Sequence, residues 1–295
     1  MPELPEVETV CRGLQPVFAG QRIRRVELRR KDLRFPLPDG FAERLEGRTV
    51  REITRRAKYI LAHLDDCTVL AMHLGMTGRF NVAPGGAQET VQLGDYVYEH
   101  GADARHDHVI FTLRSGAVVT YNDARRFGYM TLIAGAELAA DPFFANLGVE
   151  PLGEALTPAY VAAKARGRKT DLKAFLMDQR IIAGLGNIYV CEALYRARLD
   201  PAKPAARLAT ASGKPTPAAE RLVPHIKAVL TEAILAGGST LRDYQHTDGS
   251  AGSFQEAFSV YGREGEACLT PGCRGTVRRK TQAGRSTFYC AVCQR

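Results

Sequence analysis

Short runs of β-branched and aromatic residues recur between about Gln21 and Ile133, and turn-forming residues separate them. The runs read RIRRVEL, YILAHL, TVLAMHL, HVIFTL, AVVTY and YMTLI. This pattern is typical of a β-sandwich or a β-barrel and not of alternating strands and helices. A polar, glycine-rich stretch from Pro84 to Arg105 interrupts the runs and predicts a long loop.

The spacing of apolar residues changes after NLGVEPLGE. Apolar residues then recur with helical periodicity in TPAYVAAKA, DLKAFLMDQRII, NIYVCEALYRA and RLVPHIKAVLTEAILAGG. The stretch DPAKPAARLATASGKPTP, between the third and the fourth of these segments, is predicted to be a linker. We therefore predict an α+β multidomain protein with a β domain over residues 1–135, a helical domain over 150–240 and a small cysteine-containing domain over 260–295.

The chain opens with MPELPEVET, which places Pro2 ahead of three carboxylates, Glu3, Glu6 and Glu8. Proline is tolerated early in a helix, and acidic residues near a helix N-terminus are stabilised by the macrodipole. An apolar stripe at helical spacing runs through Leu4, Val7, Val10 and Leu14. Taken alone, these residues favour an ordinary helix start over a catalytic site.

Composition and charge narrow the class of protein. The hydrophobic fraction of 45% is typical of a soluble globular chain. No apolar run approaches the roughly 20 residues of a membrane span, and the acidic start is unlike a signal peptide, so we expect a cytoplasmic protein. Lys and Arg number 40 against 32 Asp and Glu, a formal charge of +8. This charge suits nucleic acid first, although many unrelated proteins share it.

Seven cysteines, an odd number in a chain without a secretion signal, argue against a disulfide framework. Cys11, Cys67 and Cys191 are isolated among apolar neighbours and are predicted to be buried thiols.

The other four cysteines form two close pairs near the end of the sequence. Four residues separate Cys268 from Cys273, 16 residues follow, and two residues separate Cys290 from Cys293. Two such pairs held across a hairpin bring four thiolates into the tetrahedral, closed geometry of structural zinc. The basic residues between the pairs are expected on the surface, available to phosphate: Arg274, Arg278, Arg279, Lys280 and Arg285. We predict a zinc finger that binds one Zn²⁺ and has a basic face.

Two helical runs in DLKAFLMDQRIIAGLGNIYVCEALYRA are joined by a glycine turn, and Asn187 is predicted to be the N-cap of the second. Free backbone N–H groups at such an N-terminus form an anion site. A helix-turn-helix-like phosphate clamp fits this arrangement, and plain helix packing remains equally open. Lys169, in RGRKT, either follows the same phosphate backbone or belongs to an ordinary solvated face.

The segment YNDARRFGYM places Arg125, Arg126 and Phe127 on a predicted turn between strands. An arginine beside an exposed aromatic ring is a common arrangement for entering a base stack. Met76, on the glycine turn of LGMTGRF, offers a second apolar side chain that could enter a base stack. The alternative is that Met76 and Phe127 are core residues, as isolated methionine and phenylalanine residues more often are. His106, in RHDHV, is a candidate for a phosphate contact or a metal site.

These segments, taken in order, resemble the bacterial formamidopyrimidine-DNA glycosylase family. The motifs are PELPEVET, RRAKY, HLGMTG, RHDHV, DARRFG, GLGNIY and the four-cysteine finger, and they cover essentially the whole chain. The resemblance implies an N-terminal two-sheet β-sandwich, a helix–two-turn–helix domain and a zinc finger. It also implies a monomer that acts on duplex DNA carrying oxidised purines, mainly 8-oxoguanine or formamidopyrimidines.

The resemblance further assigns catalytic roles. Pro2, exposed once Met1 is removed, would be the amine nucleophile that forms a Schiff base at the sugar C1′. Glu3 would be the general acid, and Glu6 would help to hold the N-terminus. Lys58 would donate a proton in β-elimination, and Arg285 would assist δ-elimination beside the lesion's phosphate.

The remaining roles implied by the resemblance concern DNA contact. Three residues would fill the gap left by an everted nucleotide, with Arg125 reading the orphaned cytosine: Met76, Arg125 and Phe127. Three others would hold the DNA backbone around the kink: His106, Lys169 and Asn187. The segment DGSAGSF departs from the family at Ser253, where many members have an aromatic residue, so lesion preference is less defined than the reaction.

Two alternatives stay open. An endonuclease VIII-like enzyme for oxidised pyrimidines would share the fold and the Pro2 chemistry, but that group typically opens with a PEGPE-like start. A DNA-binding protein without catalytic activity is the other, although Pro2, Glu3 and Lys58 are all present.

Overall fold

The computed structural model describes residues 2–83, 85, 91–93, 103–239 and 253–295, with only the backbone of 91–93. The chain divides into two compact units. The first unit comprises Met1–Ala145 and Ile234–Gln255, and the second comprises Asn146–Ala233 and Glu256–Arg295. Ser253 lies among the described residues, whereas most of the DGSAGSF segment lies outside them.

The first unit is built from two antiparallel sheets and helix α1. Its helices are α1 (Leu4–Phe18) and α2 (Phe41–Leu45). Its strands are β1 (Ile23–Leu28), β2 (Val50–Arg56), β3 (Tyr59–Leu64), β4 (Thr68–His73), β5 (Arg79–Ala83), β6 (Val91–Leu93), β7 (Asp107–Leu113), β8 (Val118–Asn122) and β9 (Tyr129–Ala134). One sheet has the order β1-β7-β8-β5-β6 and the other β2-β3-β4-β9.

A single hydrophobic core joins both sheets and α1. It includes Val109 and Phe111 of the first sheet, Ile60 and Met72 of the second, and Leu14 of α1. Side chains alternate across a strand, so each sheet offers one apolar face, and the two faces bury each other. The structure confirms the predicted two-sheet sandwich and the buried stripe on α1.

The second unit contains helices and a C-terminal hairpin. The helices are α3 (Pro158–Ala165), α4 (Leu172–Met177) and α5 (Asn187–Arg196). A longer helix, α6 (Pro217–Leu235), follows, and strands β10 (Val277–Gln282) and β11 (Arg285–Cys290) form the hairpin. The predicted α+β class, with a sandwich, a helical region and a cysteine hairpin, is confirmed. The domain limits 1–135, 150–240 and 260–295 stay predictions.

Several local predictions were wrong. The strand β6 pairs with β5 inside the segment that the sequence predicts to be a loop. The predicted linker contains a 3₁₀ turn, Ala205–Leu208, whose two end residues are fully buried. Gly186, and not Asn187, is the N-cap of α5, so Asn187 is its first residue.

Cys67 was also predicted wrongly. Its thiol is exposed, because this residue forms the tight β3–β4 turn with a φ of 65°.

Within the described residues, no helix combines the length and apolarity needed to cross a bilayer.

Candidate functional site

The first turn of α1 is fixed by two buried carboxylates. Glu3 is the N-cap, and the helix begins at the next residue. The backbone N–H of Glu3 donates to Oε2 of Glu6 over 2.8 Å, and the two residues form a capping box. Only 3% of Glu3 and 5% of Glu6 is exposed. Pro2 is thereby held directly ahead of an ordered, buried helix start.

The second carboxylate oxygen of Glu6 binds a segment far along the sequence. Its Oε1 accepts from the backbone N–H of Ser239 over 2.9 Å and from Oγ of the same serine over 3.0 Å. Gly238 has a φ of +89°, and a Cβ there would lie 3.2 Å from Oε1 of Glu6. A close backbone approach therefore requires glycine. Gly238 and Ser239 support the N-terminus, and no local sequence pattern pointed to them.

Lys58 lies in the two-residue turn between β2 and β3, the strands against which α1 packs. Its exposed fraction is 8%. Burial, together with the charges of Lys58 and Arg34, lowers the pKa of His73 to about 4. His73 is consequently neutral at physiological pH: its Nδ1 accepts from the backbone N–H of Gly75 over 3.0 Å, and its ring stacks on Tyr129 at 5.2 Å.

The DARRFG turn is organised by a fully buried carboxylate, Asp123. It accepts hydrogen bonds from the hydroxyl of Thr77, from the hydroxyl of Tyr121 at 3.2 Å and from the backbone N–H of Gly128 at 2.8 Å. Phe127 beyond it is 41% exposed, so it is not a core residue. Asp123 is a supporting residue that the sequence reasoning did not single out.

The three predicted gap-filling residues line one surface cavity of about 550 Å³: Met76, Arg125 and Phe127. The Arg125 guanidinium lies 4.7 Å from the centre of the Phe127 ring, a cation–π contact. A Cβ on Gly75 would lie 2.2 Å from the Phe127 carbonyl carbon, so the two turns meet backbone to backbone. His106 lies beside this turn, where its carbonyl accepts from the backbone N–H of Asp123.

In the second unit, the four thiols of Cys268, Cys273, Cys290 and Cys293 are positioned to bind a metal ion. Their Sγ atoms all lie within 4.8 Å of one another. The Cys268–Cys293 and Cys273–Cys290 pairs are each 3.7 Å apart. A tetrahedral ion with S ligands at roughly 2.3 Å requires sulfur separations of about 3.8 Å, so the donor set fits.

Outer contacts tie this cluster to α5. The hydroxyl of Tyr195 lies 3.3 Å from Sγ of Cys268 and 2.9 Å from Oγ1 of Thr270. A guanidinium nitrogen of Arg198 donates to the same Oγ1 over 3.0 Å. Such contacts to metal ligands restrict their orientation.

The start of β11 is anchored to two helices. Arg285 is exposed at the Ala283–Gly284 turn, and the carbonyl of the next residue, Ser286, accepts from two side chains. Nζ of the fully buried Lys173 donates to it over 3.0 Å, and Nδ2 of Asn187 also donates over 3.0 Å. Lys173 anchors the strand on which Arg285 lies, a role that its position in an apolar helical run did not indicate.

Three further polar residues of the second unit differ in exposure: Lys169, Asn187 and Glu192. Lys169 is exposed, as a phosphate contact requires. Asn187 is buried, and its amide nitrogen also donates to the hydroxyl of Tyr261 over 3.3 Å. Glu192 is fully buried and accepts from three consecutive backbone N–H groups, at residues 259–261, over 2.9–3.0 Å. The DNA contacts of Lys169 and Asn187 stay predictions.

Two family models match the chain. The model of the formamidopyrimidine-DNA glycosylase N-terminal domain matches residues 1–130, and that of the H2TH domain of the same glycosylase matches residues 147–245. Among curated proteins, the formamidopyrimidine-DNA glycosylase of Methylobacterium nodulans is 60% identical over 296 residues, which span 100% of this chain and 99% of the relative. That of Rhizobium leguminosarum bv. trifolii is 55% identical over 301 residues, 100% of both chains.

Solved structures agree with these sequence matches. The MutM (Fpg) protein of Thermus thermophilus aligns with a TM-score of 0.80 and 37% identity, over 99% of this chain and 98% of that one. The Lactococcus lactis Fpg in complex with DNA containing an abasic site aligns with a TM-score of 0.82 and 33% identity, over 100% of both chains.

The fold and these matches define a DNA glycosylase with AP lyase activity. The chain belongs to the formamidopyrimidine-DNA glycosylase family.

Proposed function

We propose that this protein removes oxidised purines, 8-oxoguanine and formamidopyrimidines, from duplex DNA and then cleaves the strand by β,δ-elimination. The observation that carries the proposal is the buried capping box that fixes Pro2 at the start of α1. Family membership supports the substrate class, since related Lactococcus lactis structures contain DNA with an abasic site or an N7-benzyl-Fapy-dG lesion.

Pro2 supplies the nucleophile once Met1 is removed. At pH 7.5 an α-amino group of ordinary pKa is roughly one-third free base, against about 0.1% for a lysine, so the chain start is the better amine. Its nitrogen attacks C1′ of the sugar, and the bond from C1′ to the base breaks. The C1′–O4′ bond of the sugar ring then breaks, O4′ takes up a proton, and the nitrogen lone pair forms an iminium with C1′. This iminium draws electrons from C2′, which permits loss of a proton there and departure of the 3′ phosphate.

Three further side chains serve this sequence. Glu3, buried beside the nucleophile, donates the proton that opens the sugar ring. Lys58 is the proton donor in β-elimination and a phosphate contact. Arg285, exposed at the hairpin turn, places its guanidinium beside the phosphate that leaves in δ-elimination. Glu6 holds the turn from which Pro2 and Glu3 act.

DNA contact follows from the exposed apolar and basic side chains. Met76, Arg125 and Phe127 occupy the space of the everted nucleotide, and Arg125 binds the orphaned cytosine. An exposed aromatic ring paired with a guanidinium suits insertion into a base stack. His106, Lys169 and Asn187 contact the phosphate backbone on either side of the kink.

The four cysteines hold one structural Zn²⁺ in this proposal. Cys268, Cys273, Cys290 and Cys293 have the sulfur spacing of a closed tetrahedral site. A zinc ion held there would cross-link the segments at the two ends of the hairpin. The chemistry at the sugar is left to Pro2 and its neighbours.

Borohydride trapping tests the function directly. The protein, with Met1 removed, is incubated with a duplex that carries one 8-oxoguanine opposite cytosine, and the reduced adduct is mapped by peptide mass spectrometry. We expect a covalent complex at Pro2, and its loss when Met1 is retained, with DNA binding intact. An adduct formed only with an oxidised pyrimidine would favour the endonuclease VIII-like alternative. Tight binding without an adduct on any lesion would leave only a DNA-binding protein.

A further inference from the structure

Three side chains on one face of α1 bind three consecutive residues of β2. Oε2 of Glu8 accepts from Nε of Arg55 over 2.9 Å. One turn further along, Sγ of Cys11 donates to the carbonyl of Thr54. Another turn on, Oε1 of Gln15 accepts from a backbone N–H of β2, that of Ile53, over 2.7 Å. These helical positions follow the spacing i, i+3 and i+7, so they lie on one face of α1.

Arg55 lies at the end of these contacts that is nearer to the N-terminus of α1. Its Nε binds Glu8, while a terminal guanidinium nitrogen donates to the carbonyl of Ala57 over 2.8 Å. The side chain of Arg55 is only 10% exposed. One guanidinium thus joins the helix that begins after Pro2 to the turn that contains Lys58.

The turn between β2 and β3, which contains Ala57 and Lys58, has an unfavourable backbone conformation. Ala57 has a φ of 52°, in the left-handed region that residues with a Cβ rarely adopt. Its carbonyl precedes Lys58 directly, so the orientation of that carbonyl sets the direction in which the lysine leaves the turn. A hydrogen bond from a nearly buried guanidinium restricts this orientation.

We infer that Arg55 is a positioning residue that couples the nucleophile helix to the Lys58 turn. This inference rests on the proposed function, because the proposed function assigns the elimination step to Lys58 and the covalent step to Pro2. Arg55 acts through the Ala57 carbonyl. Its loss should therefore leave Schiff-base formation largely intact and slow the elimination that follows.

The planar guanidinium is required for this role. Its nitrogens point in fixed, divergent directions, so one side chain binds a carboxylate and a carbonyl simultaneously. A lysine at position 55 keeps the positive charge beside Glu8 but has a single ammonium on a flexible stem. Arg55→Lys consequently preserves the ion pair and weakens the hold on the turn.

The experiment separates the two chemical steps. Each variant is mixed with a duplex containing a preformed abasic site, and time points are divided between borohydride reduction, which reports the Schiff base, and direct analysis of cleaved strand. Arg55→Met and Arg55→Lys are compared with Arg12→Ala, which removes the other partner of Glu8, an arginine with a 60% exposed side chain. Thermal unfolding is recorded for every variant.

We expect Arg55→Met to form the Schiff base within twofold of the wild-type rate and to eliminate at least tenfold more slowly, so that trapped adduct accumulates. Arg55→Lys should retain the wild-type thermal midpoint and still eliminate several-fold more slowly, while Arg12→Ala is unchanged in both steps. Elimination at the wild-type rate in Arg55→Lys would overturn the inference, as would a parallel loss of trapping and elimination in Arg55→Met. A wild-type protein that yields no Pro2 adduct would instead refute the proposed function, and the positioning role with it.

Discussion

Replacing Glu6 by glutamine tests whether the N-terminal helix start is held by a carboxylate. The side chain is nearly isosteric, so packing is preserved and only the charge and the hydrogen-bonding pattern change. In the native protein both oxygens accept only: one binds the backbone N–H of Glu3, and the other binds the N–H and the hydroxyl of Ser239. A glutamine has one acceptor oxygen and one NH₂ group, so it cannot satisfy both backbone donors.

The size of the effect follows from these three contacts. Either orientation of the amide leaves one backbone N–H facing another N–H group, which costs about 1–3 kcal/mol. Each remaining bond changes from charged to neutral and loses about 1 kcal/mol. Burying a neutral amide costs less than burying a carboxylate, which offsets part of this loss. We expect a net loss of about 2–4 kcal/mol in the free energy of unfolding.

Urea unfolding followed by circular dichroism measures this difference, with Ser239→Ala as the matched variant. Ser239→Ala removes one hydroxyl donor and keeps the backbone N–H, so about 1 kcal/mol is expected. Borohydride trapping by Glu6→Gln should also fall about tenfold or more, because the displaced chain start misaligns the amine. A Glu6→Gln protein within 0.5 kcal/mol of the wild type would refute the reasoning.

Three further predictions concern groups that the structure buries. The His73 ring should titrate near its shifted pKa of about 4 in the folded protein. The unfolded chain takes up the same proton at a higher pH, near 6.5. The contribution of His73 to stability is therefore fully present above pH 6.5 and declines as the pH falls towards 4. An NMR titration of the ring with a midpoint near 6.5 would contradict this. If the four cysteines hold zinc as proposed, Tyr195→Phe removes a hydroxyl beside one ligand, Cys268, so Zn²⁺ loaded into the protein should transfer to a chelator about tenfold faster. An unchanged transfer rate would show that the hydroxyl does not restrain Cys268. Lys173→Ala removes a donor to the Ser286 carbonyl and to Oγ1 of Thr287, so thermal unfolding should show a loss of about 2 kcal/mol or more in the free energy of unfolding. Lys203 is exposed, so Lys203→Ala should change that free energy by nothing measurable. Equal effects of the two substitutions would argue against Lys173 as an anchor of β11.

Dense local patterns were sufficient for much of the fold. The run YILAHL became β3, Tyr59–Leu64, with the predicted bounds. Its Tyr59 and Ile60 are of types that favour strands, and its apolar positions are largely buried. In contrast, VREITRR became β2 although most of its residues are charged or polar. Its strand conformation depends on pairing with β3 and on the contacts from α1, so no local pattern revealed it.

The sequence by itself determined the cysteine spacing and the helix start after Pro2, because each is encoded in residues close together along the chain. It also determined the family and the two-sheet fold class, because these are encoded in several short motifs, each of them local, that follow one another along the chain. Only the tertiary structure decided which groups support them. Glu6 binds Ser239, 233 positions away, and Lys173 binds Ser286, 113 positions away. A buried polar group requires a partner, but its type does not specify which distant backbone supplies one. The contacts of Glu6 with Ser239, of Arg55 with Glu8 and of Lys173 with Ser286 therefore became visible only when the fold brought these partners together.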